Sequence, residues 1–196
     1  MNKILGIIII ILSLFGGFAM MQKIDAKKTV GKIYLAGGCF WGVEAYFSKL
    51  PGVIHTEVGY ANGKTQNPTY EEVSTGDTNF AETVYVEYNP KEISLLDILS
   101  NYFEVVDLTT LNRQALDSGT QYRSGIYYTN DHDKEVIENA IKEEQKNHKE
   151  PIVTEVKQLE NFYVAEEYHQ KYLDKHPGGY CNINLSKVRN IKKPSE

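Results

Sequence analysis

The chain has 196 residues and a formal net charge of -5, with 24% charged and 41% hydrophobic residues. That suits one domain with a substantial core, and the acidic balance argues against nucleic acid as a partner, since phosphate contacts need clustered Lys and Arg. The five histidines lack the close His/Cys/carboxylate spacing that zinc uses, so no metal and no other cofactor is expected.

Lys3 precedes an uncharged, apolar run from Ile4 to Met21, and Gly17-Phe18-Ala19 offers a small-x-small cleavage site. The run approaches the ~20 residues that span a bilayer, so a retained anchor is the alternative to a cleaved leader. Residues 1–26 are therefore expected to be a signal peptide or membrane anchor, and 27–196 the functional domain. The working protein is therefore expected outside the cytoplasm (periplasmic, secreted or anchored), touching a membrane only through that segment if it is uncleaved.

Within the domain, Lys32–Ala36 reads as a strand and Cys39 to about Leu50 as a helix stopped by Pro51-Gly52. Val53–Tyr60 alternates Ile54, Thr56, Val58 and Tyr60 on one face of a second strand. Residues 61–76 are mostly loop, with one or two helical turns over Pro68–Val73, and Glu82–Tyr88 is a third strand. Ser94, with Asp97 three residues on, caps a helix whose apolar face includes Leu95, Leu96, Ile98, Leu99 and Tyr102. An irregular stretch, 107–119, leads to a strand at Gly125–Tyr128, a charged helix from Asn130 to about His148, and a strand at Ile152–Leu159. A last helix is predicted over Ala165–Lys175, with Tyr168 and Tyr172 stacked at i, i+4. This order predicts an α+β fold: a two-layer sandwich with a mixed sheet around a ferredoxin-like βαββαβ core, and long loops.

Cys39 follows Gly37-Gly38 at a helix start, where unpaired N–H groups favour an anion and a thiol can become a nucleophilic thiolate. A buried cysteine acting as a small hydrophobe is the bland alternative, and the local pattern leaves both open. Glu82 shares the inward phase of Val84 and Val86, so burial would raise its pKa and keep it as a general acid; a solvated residue at the strand's rim is the alternative. Tyr70, Tyr122, Asp117 and Arg123 are weaker candidates among 14 tyrosines and many polar loop residues. The only other cysteine, Cys181, lies in a Gly-Gly-Tyr-Cys loop, and a structural disulfide with Cys39 is a further reading in an exported protein.

Gly37-Gly38-Cys39-Phe40-Trp41-Gly42 resembles the active-site signature of peptide methionine sulfoxide reductase A. Matching stretches follow in order at Val58–Tyr60, Asn67–Val73, Ala81–Val84, Gly119–Tyr128, Ala165–Tyr172 and Gly178–Cys181. They cover essentially all of residues 32–185. The resemblance implies that Cys39 attacks the sulfoxide sulfur while Glu82 protonates the oxygen, assisted by Tyr70 and Tyr122. Phe40 and Trp41 would hold the S-methyl group, Asp117 would position the substrate, and Cys181 would resolve the Cys39 sulfenic acid as a disulfide. It also implies the S epimer of methionine sulfoxide, in proteins and free, as substrate, and a thioredoxin-like dithiol as reductant; a monomer is expected.

The sequence departs from the family's frequent pattern at Val106-Asp107-Leu108 and at Ala115-Leu116-Asp117-Ser118. It has no second distal cysteine, and with nine residues after Lys187 no fused reductase B domain is expected. A thiol peroxidase and a non-catalytic, disulfide-held module are the rival readings. Glu82 argues against the first, because peroxide cleavage typically uses threonine and arginine rather than a carboxylic acid.

Overall fold

Strand β1 (Gly31–Gly37) lies at the centre of the sheet, antiparallel to both β3 (Ala81–Tyr88) and β6 (Ser124–Tyr128). The computed structural model describes residues 30–188. It is an α+β fold whose strongly curled, mixed sheet has six strands in the order β7-β6-β1-β3-β2-β8, with five helices among the described residues. Strand β2 is Val53–Ala61, β7 is Glu155–Gln158 and β8 is Phe162–Val164; β6 and β7 are parallel and the other pairs are antiparallel. The predicted leader at 1–26 lies outside the described residues, and among those described no helix is long and apolar enough to cross a membrane.

Period-2 alternation fixes which way the strands face. Ile33, Leu35, Val84, Val86, Val58 and Tyr60 join one large core, beneath helices α1 (Phe40–Phe47) and α3 (Leu95–Val105). Ala36, Ala61, Ala81 and Tyr127 form a smaller cluster, with Tyr34 and Phe162 packed on it. Ser94 and Asp97 form the predicted capping box on α3, and Asn130 caps α4 (Asp131–Glu144) by accepting from the Asp133 amide. Thr69 and Glu72 box the start of the short helix α2 (Tyr70–Ser74). Each box satisfies two amides that helix geometry leaves unpaired.

Three expectations need correcting. Ile54 is 48% exposed, because a bulge between Val53 and His55 inserts it as an extra residue and lets Val53 face the core instead. Leu96 is also exposed: α3 has more apolar residues than one face can bury, and the core takes Ile98, Leu99 and Tyr102. Most importantly, Ala165–Lys175 is not a continuous helix. Only Tyr172–Lys175 is helical (α5), after a series of turns and Lys171 at φ 52. The side chains of this segment are drawn to other elements: Gln170 exchanges hydrogen bonds with the Val58 amide and carbonyl of β2. The strand Phe162–Val164, absent from the predicted elements, covers the other part of that β2 edge.

The 107–119 stretch is more ordered than its composition suggests. Strands β4 (Arg113–Gln114) and β5 (Asp117–Ser118) make a small hairpin, closed below by Gly119 N–H to Asn112 O at 2.9 Å. The Gln114 amide group pairs with both backbone groups of Asp107, fixing the hairpin to the end of α3.

Candidate active site

The turn from β1 into α1 sets the position of Cys39. Gly38 has φ 81, and a Cβ there would lie 2.6 Å from Gln114 Cβ, so glycine is needed both for the conformation and for the close approach of the hairpin. The Tyr102 hydroxyl donates to Ala36 O at 2.6 Å and accepts the Gly125 amide at 3.1 Å, which ties off the backbone where β1 ends. Cys39 is thereby held as the N-cap of α1 and is buried.

The unpaired amides of α1 are shared between two acidic groups. The Trp41 and Gly42 N–H groups donate to the Cys39 sulfur, and the Phe40 N–H donates to Glu82 Oε2 at 3.0 Å. Glu82 is buried at the inward position predicted from its strand phase. Burial pushes its carboxyl up to about 8, against the opposing pull of the Phe40 amide. The expected lowering of the Cys39 pKa does not occur in the free site. Burial, and then the Glu82 charge, raise the thiol above its usual range, and the two amides do not offset them. Both groups are therefore protonated near pH 7.

Two clamps bring the tyrosines together. Gln121 Nε2 donates to Ser74 O, and the Thr120 hydroxyl to Gly76 O, joining the end of α2 to the turn before Tyr122. Tyr122 and Tyr70 are hydrogen-bonded, and burial, then the Glu82 charge, raise the pKa of both, keeping them as neutral donors. Arg123 instead faces away, bonded to Glu155, Thr120 O and Asn79 O, which marks it as structural.

Cys181 reaches the same helix start from the C-terminal loop. A Cβ on Gly42 would lie 3.2 Å from Cys181 Sγ and 3.4 Å from Asn182 Oδ1, so the loop rests on the residue whose amide contacts Cys39. Asp117 holds this loop on both sides of Cys181: Tyr180 OH donates to Oδ1 at 3.2 Å and Asn182 Nδ2 to Oδ2 at 3.0 Å. Both cysteines are free thiols.

The aromatic wall includes residues that sequence reasoning did not assign to the site. Trp41 Nε1 donates to His169 Nδ1 at 3.0 Å, and Tyr172 stacks on Trp41 with centroids 3.8 Å apart. The His169 ring also packs against Phe40 and Tyr70. Burial lowers its pKa, so the ring is neutral and its proton sits on Nε2, which has no hydrogen-bond partner among the described residues. Glu166 accepts from the Tyr70 amide and from Tyr60 OH. A signal was present in the sequence: Glu166–Tyr172 is too polar and aromatic to supply the aliphatic stripe of an amphipathic helix.

A buried thiol and a buried carboxylic acid at one helix start, with a second thiol resting against that helix, define a cysteine-based oxidoreductase. Residues 31–195 match the family described as peptide methionine sulfoxide reductase. A relative from Clostridium acetobutylicum, peptide methionine sulfoxide reductase MsrA, is 57% identical over 152 residues, covering 78% of this chain and 94% of its own length. Mxr1 from Saccharomyces cerevisiae, solved in reduced form, is 42% identical with a TM-score of 0.75, covering 79% of this chain and 90% of that one. Mxr1 has also been solved in complex with Trx2, at 30% identity and a TM-score of 0.54, over 78% of this chain and 91% of that one. The chain belongs to the peptide methionine sulfoxide reductase family, and its activity is that of a peptide-methionine (S)-S-oxide reductase.

Proposed function

We propose that Cys39 and Glu82 carry out the reductase step together. The observation that carries this reading is that consecutive amides, of Phe40, Trp41 and Gly42, serve the carboxyl and the thiol at one helix start. Glu82 gives its proton to the sulfoxide oxygen as Cys39 attacks sulfur, and the thiol's proton restores the acid, so no net proton is consumed. The S–O bond breaks, methionine leaves, and the oxygen ends on Cys39 as a sulfenic acid. Tyr70 and Tyr122 donate to the developing charge on oxygen. Phe40 and Trp41 enclose the methyl group, and separate places for methyl and oxygen admit the S epimer alone.

Cys181 then attacks the sulfenic sulfur, releasing water and leaving a Cys39–Cys181 disulfide. Asp117, predicted to position substrate, holds the Cys181 loop through Tyr180 and Asn182. A thioredoxin-like dithiol reduces the disulfide; the support is the Mxr1–Trx2 complex of the yeast relative. The enzyme is read as a monomer, with 27–196 as the catalytic domain and residues 1–26 as leader or anchor; the charged start and apolar centre of that segment support work outside the cytoplasm. The finer fold is read as a two-layer sandwich on a ferredoxin-like core, supported by the β6-β1-β3-β2 order with α1 and α3 as crossovers.

Turnover of the two methionine sulfoxide epimers with dithiothreitol tests the assignment. Loss of the S epimer alone, abolished in Cys39→Ser, is expected; an active Cys39→Ser protein refutes it. Cys181→Ser should release one equivalent of methionine and then stall with a thioredoxin as donor.

A further inference from the structure

Behind the aromatic wall lies an ion pair, its carboxylate buried and its lysine half-buried, with no part in the chemistry described. Glu44 sits on α1 three residues after Trp41, on the same helix face. It is 1% exposed, although a carboxylate is rarely buried unless paired. Its two oxygens are taken by one residue: Lys171 N–H donates to Oε2 at 2.8 Å and Lys171 Nζ to Oε1 at 2.9 Å. Thr56 on β2 completes the cluster, its hydroxyl donating to Glu44 Oε1 at 3.3 Å while its carbonyl accepts from Nζ at 2.8 Å; Nζ also donates to the hydroxyl oxygen.

This arrangement holds Lys171 in the left-handed region, at φ 52, where a side chain is disfavoured. The consequence falls on its neighbours. His169, two residues before, accepts the Trp41 indole N–H, and Tyr172, the next residue, stacks on the indole at an interplanar angle of 13°. The chain must reverse its helical sense between them to bring one ring to the indole edge and the other to its face.

We propose that the Glu44–Lys171 pair is a positioning device that fixes the Trp41 ring, and with it the pocket for the substrate's methyl group. The second clause rests on the role given to Trp41 above; the first does not. Neither residue touches the reacting atoms. A single carboxylate, itself shut off from water, binds both backbone and side chain of Lys171 and so ties the loop to α1; moving the loop would leave that carboxylate unpaired.

Trp41 is the only tryptophan of the chain, so its emission reports on this ring alone. Three variants are compared: Glu44→Gln, Lys171→Met, and both together. The double variant removes both charges at similar volume, so no unpaired ion stays buried and folding is expected to survive. In the folded variants, acrylamide quenching of Trp41 should rise, and kcat/KM for methionine-S-sulfoxide should fall about tenfold, mostly through KM. Lys171→Arg should recover part of the shielding by restoring a cation. Unchanged quenching and KM in a folded double variant would overturn the proposal, leaving the pair a stabilising contact only. A wild-type protein that ignores methionine sulfoxide would sink the catalytic reading while leaving the quenching test intact.

Discussion

The Glu82 carboxylate accepts the Phe40 amide at 3.0 Å, one residue beyond the thiol of Cys39. The contact joins the sheet to the helix start. Glu82 is nonetheless desolvated: burial raises its carboxyl to about 8 against the lowering pull of that donor. A sulfoxide oxygen leaves only when protonated, and this is a carboxyl that still carries its proton at neutral pH.

Glu82→Gln is therefore expected to lower the rate of methionine release about 10²–10⁴-fold in single-turnover measurements, the usual contribution of a general acid. In the wild type the same rate should decline as pH rises through about 8, where Glu82 ionises. That decline should vanish from the residual activity of the variant.

The same group makes folding depend on pH. Its folded pKa lies above the unfolded value, so its stabilising contribution is complete below about 4.5 and is lost as pH rises through about 8. Thermal unfolding of Glu82→Gln, which cannot titrate, should gain on the wild type between pH 5 and pH 8.5. An equal difference at both pH values would contradict the assignment.

Gly42→Ala tests the seat of the Cys181 loop. The new methyl would lie 3.2 Å from Cys181 Sγ and 3.3 Å from Ile183 Cγ1, while alanine favours the helix by about 1 kcal/mol. The variant should fold and release methionine normally. Disulfide formation, followed by loss of free thiols after one turnover, should slow by about tenfold.

Ala115 stands in the hairpin turn at φ 50, within the stretch where the sequence departs from the family's pattern. An alanine Cβ is disfavoured there, and glycine is free of that cost but freer in the unfolded chain. Ala115→Gly should raise stability by about 0.5–1 kcal/mol, read from denaturant midpoints, without altering turnover.

The elements legible in the sequence were those with a strong period or a capping pair. Val84 and Val86 set the phase that turned Glu82 inward, and Ser94–Asp97 and Asn130 marked helix starts where the structure has them. The Cys39 turn was legible because glycines and aromatics sit at fixed places around it. The segment around His169 was misread for a physical reason: its residues bind partners far along the chain, and a helical spacing of tyrosines says nothing about Glu44 or β2. The thiol's pKa was misjudged because a helix start is a local feature, whereas burial and the nearby Glu82 charge come from the packed domain.

What the sequence determined by itself is the family, and with it the candidate reacting groups, since the signature residues and both cysteines stand in a readable order. The phase of β3 and the starts of α3 and α4 were determined too, because period and capping are local properties. The tertiary structure alone decided the rest. It placed Cys181 against Gly42, gave Asp117 to the Cys181 loop, and set His169 and Tyr172 around Trp41. These contacts join residues on separate elements, and their energies arise from desolvation and pairing, which no local pattern encodes.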